Sequence, residues 1–145
     1  MNRGSKVLVL GLLGAFLMVP PAHAQSRYDI ALAKTSYETA KASGIRPQTT
    51  GELNRCAGYW EAMSRVRKGT YVANADWAAL GDDFSEAGIL INKAGFKLDL
   101  DKKNALDARH LDEAIAAIKL LQGFLNGEAE ATKTVFDTLG TCQRK

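Results

Sequence analysis

The chain contains 145 residues, of which 19 are lysine or arginine and 16 are aspartate or glutamate, for a formal net charge of +3. Nucleic-acid binding requires a clustered excess of positive charge, and the sequence has no such cluster, so we predict no nucleic-acid partner. Two cysteines and two histidines leave few side chains for redox, metal or nucleophilic chemistry.

Residues 1–24 have the pattern of a secretory signal peptide. Arg3 and Lys6 precede an apolar run over 7–18, and small residues lie just before the expected cut. The apolar run is too short to cross a hydrocarbon core of roughly 30 Å as a helix. We predict cleavage after Ala24 and a periplasmic or secreted protein without a stable membrane anchor. An uncleaved amphipathic or transmembrane anchor is the alternative interpretation.

Cleavage changes the composition of what remains. Arg3, Lys6 and His23 leave with the signal, so residues 25–145 hold 17 basic and 16 acidic residues, a net charge of +1. A segment of this size predicts one domain, which buries roughly two thirds of the surface of its unfolded chain.

The apolar periodicity of this domain is helical nearly throughout and predicts an all-α fold. The economical architecture is a single-domain, up-and-down bundle of about five amphipathic helices, stapled by one disulfide. In chain order the predicted helices cover about 28–43, 50–68, 75–94, 105–125 and 128–141.

Local signals place the helix ends. Thr49 and Glu52 have capping-box spacing before the second helix, and Gly69 can close that helix in the left-handed conformation. Asn74 is a candidate cap of the third helix, and Gly95 is expected to end it. The alternating residues 96–100 have no second strand to pair with, so we predict a packed connector there.

Two predicted helices have defined apolar faces. The face of the third helix is expected to comprise Trp77, Leu80, Phe84, Ala87 and Ile91. The face of the fourth is expected to comprise Leu111, Ala114, Ile115, Ile118, Leu121 and Leu125. Helical spacing puts each set on one side of its helix, so we expect both sets in the core.

The two cysteines are 86 positions apart in the domain. Cys56 is expected on the core face of the second helix, and Cys142 at the end of the fifth. In an oxidising compartment the two thiols predict one structural disulfide. Two separate buried thiols or a redox role are the alternatives, although no C-x-x-C or C-x-x-C-H motif is present.

His110 is the only histidine left after cleavage, at the edge of the apolar stripe of the fourth helix. It could act as a base for a serine or for Cys56. However, Cys56 is expected to be bridged, and no Gly-x-Ser-x-Gly turn exists. We therefore predict a solvated histidine and assign no catalytic, cofactor-binding or metal-binding residues.

The second helix is locally basic. Arg55, Arg65 and Arg67, with Tyr59 one position off the apolar stripe, form a possible contact surface for an acidic partner or an anionic membrane. The alternative is a solvated basic face, because helix C-termini favour positive charge.

The segment Cys56-Ala57-Gly58-Tyr59 resembles the Cys-x-Gly-Tyr helix start of small, exported, helical immunity proteins. Those proteins neutralise peptidoglycan-cutting toxins of type VI secretion and also carry a disulfide. The resemblance implies inhibition of an exported enzyme as one class of function.

Three classes of function follow. The first is an exported small helical binding or accessory protein without catalysis, whose ligand or partner the sequence does not identify and for which another exported protein is one possibility. The second is an inhibitor or immunity protein of an exported cell-wall-acting enzyme. The third is an enzyme that uses His110. The sequence favours them in that order and leaves the oligomeric state open.

Overall fold

A computed structural model describes residues 27–144, which form six α-helices and one short 3₁₀ turn. The predicted signal peptide lies outside the described residues. The all-α class is confirmed, whereas the expected count of about five helices is wrong. In chain order the helices are α1 (Ile30–Ala42), α2 (Thr50–Lys68), α3 (Asn74–Leu80), α4 (Glu86–Lys102), α5 (Arg109–Leu125) and α6 (Ala129–Thr141), with the 3₁₀ turn at Asp82–Phe84.

Helix α2 lies at the centre of the fold. Helices α4, α5 and α6 pack against it, while α1 packs mainly on α6 and also on α3. In the described part of the chain, α1 does not pack on α2 and α4 does not pack on α5, although each pair is adjacent in order. The predicted up-and-down arrangement is therefore wrong. Helix α2 is instead flanked by α4 and α5.

Helix α2 runs over the predicted residues. Thr49 Oγ1 accepts a hydrogen bond from the backbone N–H of Glu52 at 3.2 Å, and Glu52 Oε2 accepts one from the N–H of Thr49 at 2.9 Å. The predicted capping box is thus confirmed. The predicted left-handed Gly69 is wrong, because its φ is −79° and the chain leaves the helix in an extended conformation.

The single third helix predicted over 75–94 is broken. Gly81 has a φ of +103°, a conformation that favours glycine, and it ends α3 before the 3₁₀ turn. Ser85 then caps a new helix, because its Oγ accepts a hydrogen bond from the N–H of Gly88 at 3.0 Å. This prediction is therefore wrong, and α3 and α4 replace it.

The start of α3 also differs from the prediction. Ala73 occupies the N-cap position and Asn74 is already helical, so Asn74 is not the cap. A tertiary contact instead satisfies a backbone N–H at the start of the helix, since the hydroxyl of Tyr28 accepts a hydrogen bond from the N–H of Ala73 at 3.1 Å. The same hydroxyl donates to Asp76 Oδ2 at 2.7 Å. Tyr28 thereby fixes α3 to the N-terminal end of the domain.

Helix α4 continues through Gly95, so the predicted helix end and the packed connector over 96–100 are wrong. Phe96 and Leu100 lie one helical turn apart, and both are fully buried. Gly95 packs beneath the side chain of Arg144, where a larger residue would collide with it. Ile91, expected in the core, is 68% exposed on the outer face of α4.

The 3₁₀ turn places Phe84 at the centre of an aromatic core. Its ring centroid lies 4.7 Å from that of Tyr37 and 5.7 Å from those of Trp60 and Phe136. Aromatic pairs at these separations stabilise a core beyond the area they bury. The buried hydrophobic residues form one cluster that includes these rings.

Candidate functional site

The disulfide predicted from the two cysteines is confirmed. The sulfurs of Cys56 and Cys142 are 2.07 Å apart, and the bridge joins α2 to the residue that follows α6. Both cysteines are buried, and Trp60 Nε1 donates a hydrogen bond to the carbonyl oxygen of Cys142 at 3.1 Å. The bridge therefore ties the C-terminal end of the chain to the central helix.

Gly58 marks a close approach of α2 to α5. A Cβ atom at this position would lie 2.6 Å from Glu113 Cβ and 2.7 Å from the backbone nitrogen of Ala114, and it would also meet the carbonyl oxygen of His110. These distances are below van der Waals contact, so α5 can pack here only against a glycine. Gly58 therefore sets the position of the start of α5.

Tyr59 is 7% exposed, so the expected partial exposure is wrong. Burial and, to a smaller degree, the charge of Glu113 raise the pKa of its hydroxyl above the ordinary value of 10.0. The position one step off the apolar stripe is covered because α5 and α6 both pack on α2. Together with Cys56 and Gly58, Tyr59 serves packing at the centre of the fold.

The three arginines of the proposed contact surface do not share one face. Arg55 and Arg65 are exposed, with the Arg65 guanidinium 3.6 Å from Glu61. Arg67 lies over the ring of Trp77, 5.3 Å from its centroid, and its side chain is 19% exposed. A cation held over an aromatic ring in this way stabilises the fold. Arg55 and Arg65 remain candidate contact residues.

His110 lies near the start of α5, and its Nδ1 is 2.6 Å from the backbone oxygen of Asp107. The expected boundary position is consistent with its intermediate burial. Cys56 is bridged, so it offers no thiolate for His110 to activate. The contact with Asp107 instead places the ring at the turn that precedes the helix.

The large apolar side chains of α5 lie partly outside the core. Leu111 is 41% exposed and Ile115 is 58% exposed, so the expectation that both are buried is wrong. The face that packs on α2 uses small residues, since Ala114 and Ala117 are buried. Hence the helix presents an apolar flank to solvent. We call this surface the α5 flank, and it comprises the exposed Leu111 and Ile115 and the partly buried Ile118 and Leu125 beside them.

A shallow pocket of about 270 Å³ lies along the C-terminal half of the α5 flank. Ile118 and Leu125 form one wall, and Arg65 and Tyr71 lie on the other side. Tyr71 is 64% exposed. An apolar wall faced by a tyrosine and an arginine has the composition of interaction surfaces between proteins.

A sequence signal for this surface exists. The apolar residues of α5 span about half of the helix circumference, more than the stripe of roughly 100° that one packed face requires. Such width indicates either a fully surrounded helix or an exposed apolar flank. The sequence alone does not decide between them, because it does not show that α4 stays away from α5.

Glu61 is the centre of a charge cluster between α2 and α4. Its carboxylate lies 3.2 Å from Lys97 Nζ, 3.5 Å from Lys93 Nζ and 3.6 Å from Arg65 Nε, and its side chain is 14% exposed. Burial opposes ionisation, but the hydrogen bond and charge of Lys97 and the charge of Lys93 outweigh it. The pKa of Glu61 is therefore held below its ordinary value of 4.5.

We expect Glu61→Gln to lower the melting temperature at neutral pH by several degrees. A pKa that is lower in the folded state means that the ionised carboxylate stabilises the fold above pH 4.5, and this stabilisation is lost as pH falls through the folded pKa. The melting temperature of Glu61→Gln should therefore fall less than that of the wild type between ~pH 5 and ~pH 2. Calorimetry across this range measures both effects.

Glu38→Gln is the matched control for this substitution. Glu38 pairs with Lys34 on the surface of α1, with both side chains largely exposed. Exposed pairs contribute at most about 1 kcal/mol, so the control should melt close to the wild type. Equal effects of the two substitutions would show that the cluster around Glu61 does not stabilise the packing of α4 on α2.

A second polar cluster joins the C-terminal tail to α1. The hydroxyl of Tyr37 donates to Asp83 and accepts a hydrogen bond from Gln143 Nε2 at 3.0 Å, while Lys41 Nζ lies 2.6 Å from Asp83 Oδ2. Burial and the hydrogen bond to Asp83 raise the pKa of Tyr37. Tyr37 therefore stays protonated and serves as a donor, which makes this cluster structural.

These features define an all-α, disulfide-linked helical domain with an exposed apolar flank. Within residues 27–144, no cluster of three or more histidine, cysteine, aspartate or glutamate side chains has an arrangement that could hold a metal ion. Of the described helices, none combines the length and the apolar character needed to cross a membrane. Comparisons with protein-family models, curated proteins and solved structures find no match for this chain.

Proposed function

We propose that this protein is an exported helical binding protein that recognises another exported protein through the α5 flank and has no catalytic activity of its own. The observation that carries the proposal is the exposure of Leu111 and Ile115 on α5, the helix whose Ile118 and Leu125 line the pocket at Tyr71. Exposed apolar surface costs free energy in water, and burial against a partner recovers it. The proposed export rests on the signal peptide predicted over 1–24.

The experiment that tests this proposal is capture of the partner from an envelope extract on immobilised protein. We expect a stoichiometric protein partner, and we expect Ile115→Glu to weaken its binding by at least about tenfold, because a charge would be buried in the interface. Ile115 is exposed in the free protein, so the variant should fold normally, which circular dichroism checks.

Ile91→Glu is the matched control for that experiment. Ile91 is also an exposed isoleucine on a helix, but it lies on α4 rather than on the α5 flank. The control variant should bind the partner as the wild type does. If both variants bind equally well, or lose binding equally, the α5 flank is not the recognition surface.

A second candidate function is inhibition of an exported cell-wall-acting enzyme. It rests on the resemblance of Cys56-Ala57-Gly58-Tyr59 to the helix start of small exported immunity proteins, which also carry a disulfide, as this chain does at Cys56. A captured partner with peptidoglycan hydrolase activity that falls on addition of this protein would support it. Loss of a measurable activity in a folded His110→Ala variant would instead contradict both non-enzymatic candidates.

A further inference from the structure

A cleft lies at one end of the bundle, away from the α5 flank. The α1–α2 loop, the C-terminal end of α4 and the C-terminal tail meet there and enclose about 400 Å³. A smaller pocket of about 130 Å³ adjoins it beside the disulfide, and Arg46 and Pro47 line both. We call the larger space the end cleft.

The charge of the end cleft is strongly one-sided. Four cations, Arg46, Lys102, Lys103 and Arg144, line it together with one carboxylate, Asp99. Arg144 already holds Asp99 through two hydrogen bonds, from Nε at 3.0 Å and from Nη2 at 3.1 Å. The only acidic side chain of the cleft is thereby neutralised.

Three of these cations have no acidic partner among residues 27–144. Arg46, Lys102 and Lys103 take part in no ion pair there. The guanidinium of Arg46 donates instead to the carbonyl oxygen of Ile45 at 2.7 Å, which orients it without neutralising it. A net charge of only +1 over residues 25–145 makes this local excess distinctive.

The inner wall of the end cleft contains apolar side chains. Leu53 of α2 and Phe96 of α4 line it, and both are nearly fully buried, so each presents only a small apolar surface. Cationic side chains around an apolar surface suit a ligand that carries carboxylates on either side of an apolar group. These cations line a concave space of about 400 Å³, a shape that suits a chain segment better than a flat bilayer.

We propose that the end cleft binds an acidic segment of a partner protein, with aspartate or glutamate carboxylates near the three cations unpaired within residues 27–144 and an apolar side chain against the small apolar surface at Leu53. This site is distinct from the α5 flank and does not depend on the function proposed for that surface. The complementarity of charge identifies the occupant, since opposite charges increase both the rate of association and its specificity.

The test uses an acetylated, amidated peptide of alternating glutamate and leucine, and the same peptide with glutamine in place of glutamate. Titration followed by backbone amide chemical shifts should show the glutamate peptide perturbing residues 46–48, 96–103 and 143–144, and the glutamine peptide perturbing none of them. In Lys102→Glu/Lys103→Glu the affinity should fall by at least about tenfold, because two attractive charges become repulsive.

Lys119→Glu/Lys133→Glu is the matched control, with the same change in net charge at exposed positions on α5 and α6. It should bind the glutamate peptide within about twofold of the wild type, since screened charges outside the cleft contribute little. Melting temperatures establish that both variants are folded. Equal binding by the two double variants would overturn the proposal, as would equal binding of both peptides.

A vesicle-binding experiment tests whether the negatively charged ligand is an anionic lipid rather than an acidic peptide. Sedimentation with phosphatidylglycerol vesicles is expected to leave the protein in the supernatant at physiological ionic strength. If the protein instead sediments with the vesicles and ignores the glutamate peptide, the proposal is wrong.

Discussion

Replacing Cys56 and Cys142 together with alanine is expected to lower the free energy of unfolding by about 4 to 5 kcal/mol, the chain-entropy value for a loop of this length. The bridge fixes the end of α6 to the central helix across 86 positions, so removing it frees a long segment of the unfolded chain. The same end carries the carbonyl that accepts the hydrogen bond of Trp60, and that contact weakens too.

Urea denaturation followed by circular dichroism measures this loss. Reduction of the wild type with dithiothreitol should reproduce it, whereas dithiothreitol should leave the alanine variant unchanged. This comparison separates the bridge from any cost of the substitutions themselves. Two titratable thiols in unreduced, denatured wild-type protein would contradict the bridge in solution, and so would equal stability of the oxidised protein and the variant.

Local signals allowed the sequence to predict α2 correctly. The capping box of Thr49 and Glu52 depends on residues three positions apart, so it can be recognised without knowledge of the rest of the chain. The disulfide was predictable for a different reason, since export was predicted from residues 1–24 and the two cysteines of the remaining domain have only each other as partners. Both features are decided by a few residues and need no knowledge of the packing.

The break between α3 and α4 depends on the backbone conformation of Gly81 and the cap at Ser85, which the apolar spacing alone does not reveal. The apolar spacing of 75–94 fits one helix, but a Cβ on Gly88 would collide with the backbone at Asp82 and Asp83. The chain therefore folds back over the start of α4 at a position where only glycine fits. Periodicity records which residues are apolar, and it does not record where two backbone segments touch.

The α5 flank could be predicted only in part, for a similar reason. The spacing of Leu111, Ala114, Ile115 and Ile118 indicates an apolar side of α5. The sequence does not determine which part of that side packs against α2, because small and large apolar residues both lie on it. The small side chain of Ala114 allows α5 to approach α2 at Gly58, and this contact turns Leu111 and Ile115 toward solvent. The surface that we propose for recognition is therefore exposed because small residues of α5, and not its large residues, pack against α2.

The contact surface predicted on α2 illustrates the same limit. Tyr59 and Arg67 are polar at one end and were therefore expected near solvent, but both side chains have apolar parts that pack well. Helices α5 and α6 cover Tyr59, and the guanidinium of Arg67 lies over the ring of Trp77. Arg55 and Arg65 stay exposed, and each lies near one carboxylate, with Arg55 Nε 3.9 Å from Glu113 and Arg65 Nε 3.6 Å from Glu61.

Gly58→Ala is expected to destabilise the protein by about 1 to 3 kcal/mol, although alanine is the better helix former. The added methyl group would overlap the backbone of α5 at His110 and Ala114, which has no flexible side chain to move aside. The start of α5 must then shift away from α2. Urea unfolding gives the loss of stability, and amide chemical shifts over 110–118 report the displacement.

Gly51→Ala is the control within the same helix, because a Cβ there would meet only Thr49 Oγ1, at 3.9 Å. It should stabilise the protein by up to about 1 kcal/mol through the lower entropy of the unfolded chain. Since Gly58 also sets the orientation of the α5 flank, Gly58→Ala should weaken binding of the captured partner while Gly51→Ala leaves it intact. If the two variants are equally stable, the close approach of α2 and α5 does not exist in solution, and the exposure of Leu111 and Ile115 loses its physical basis.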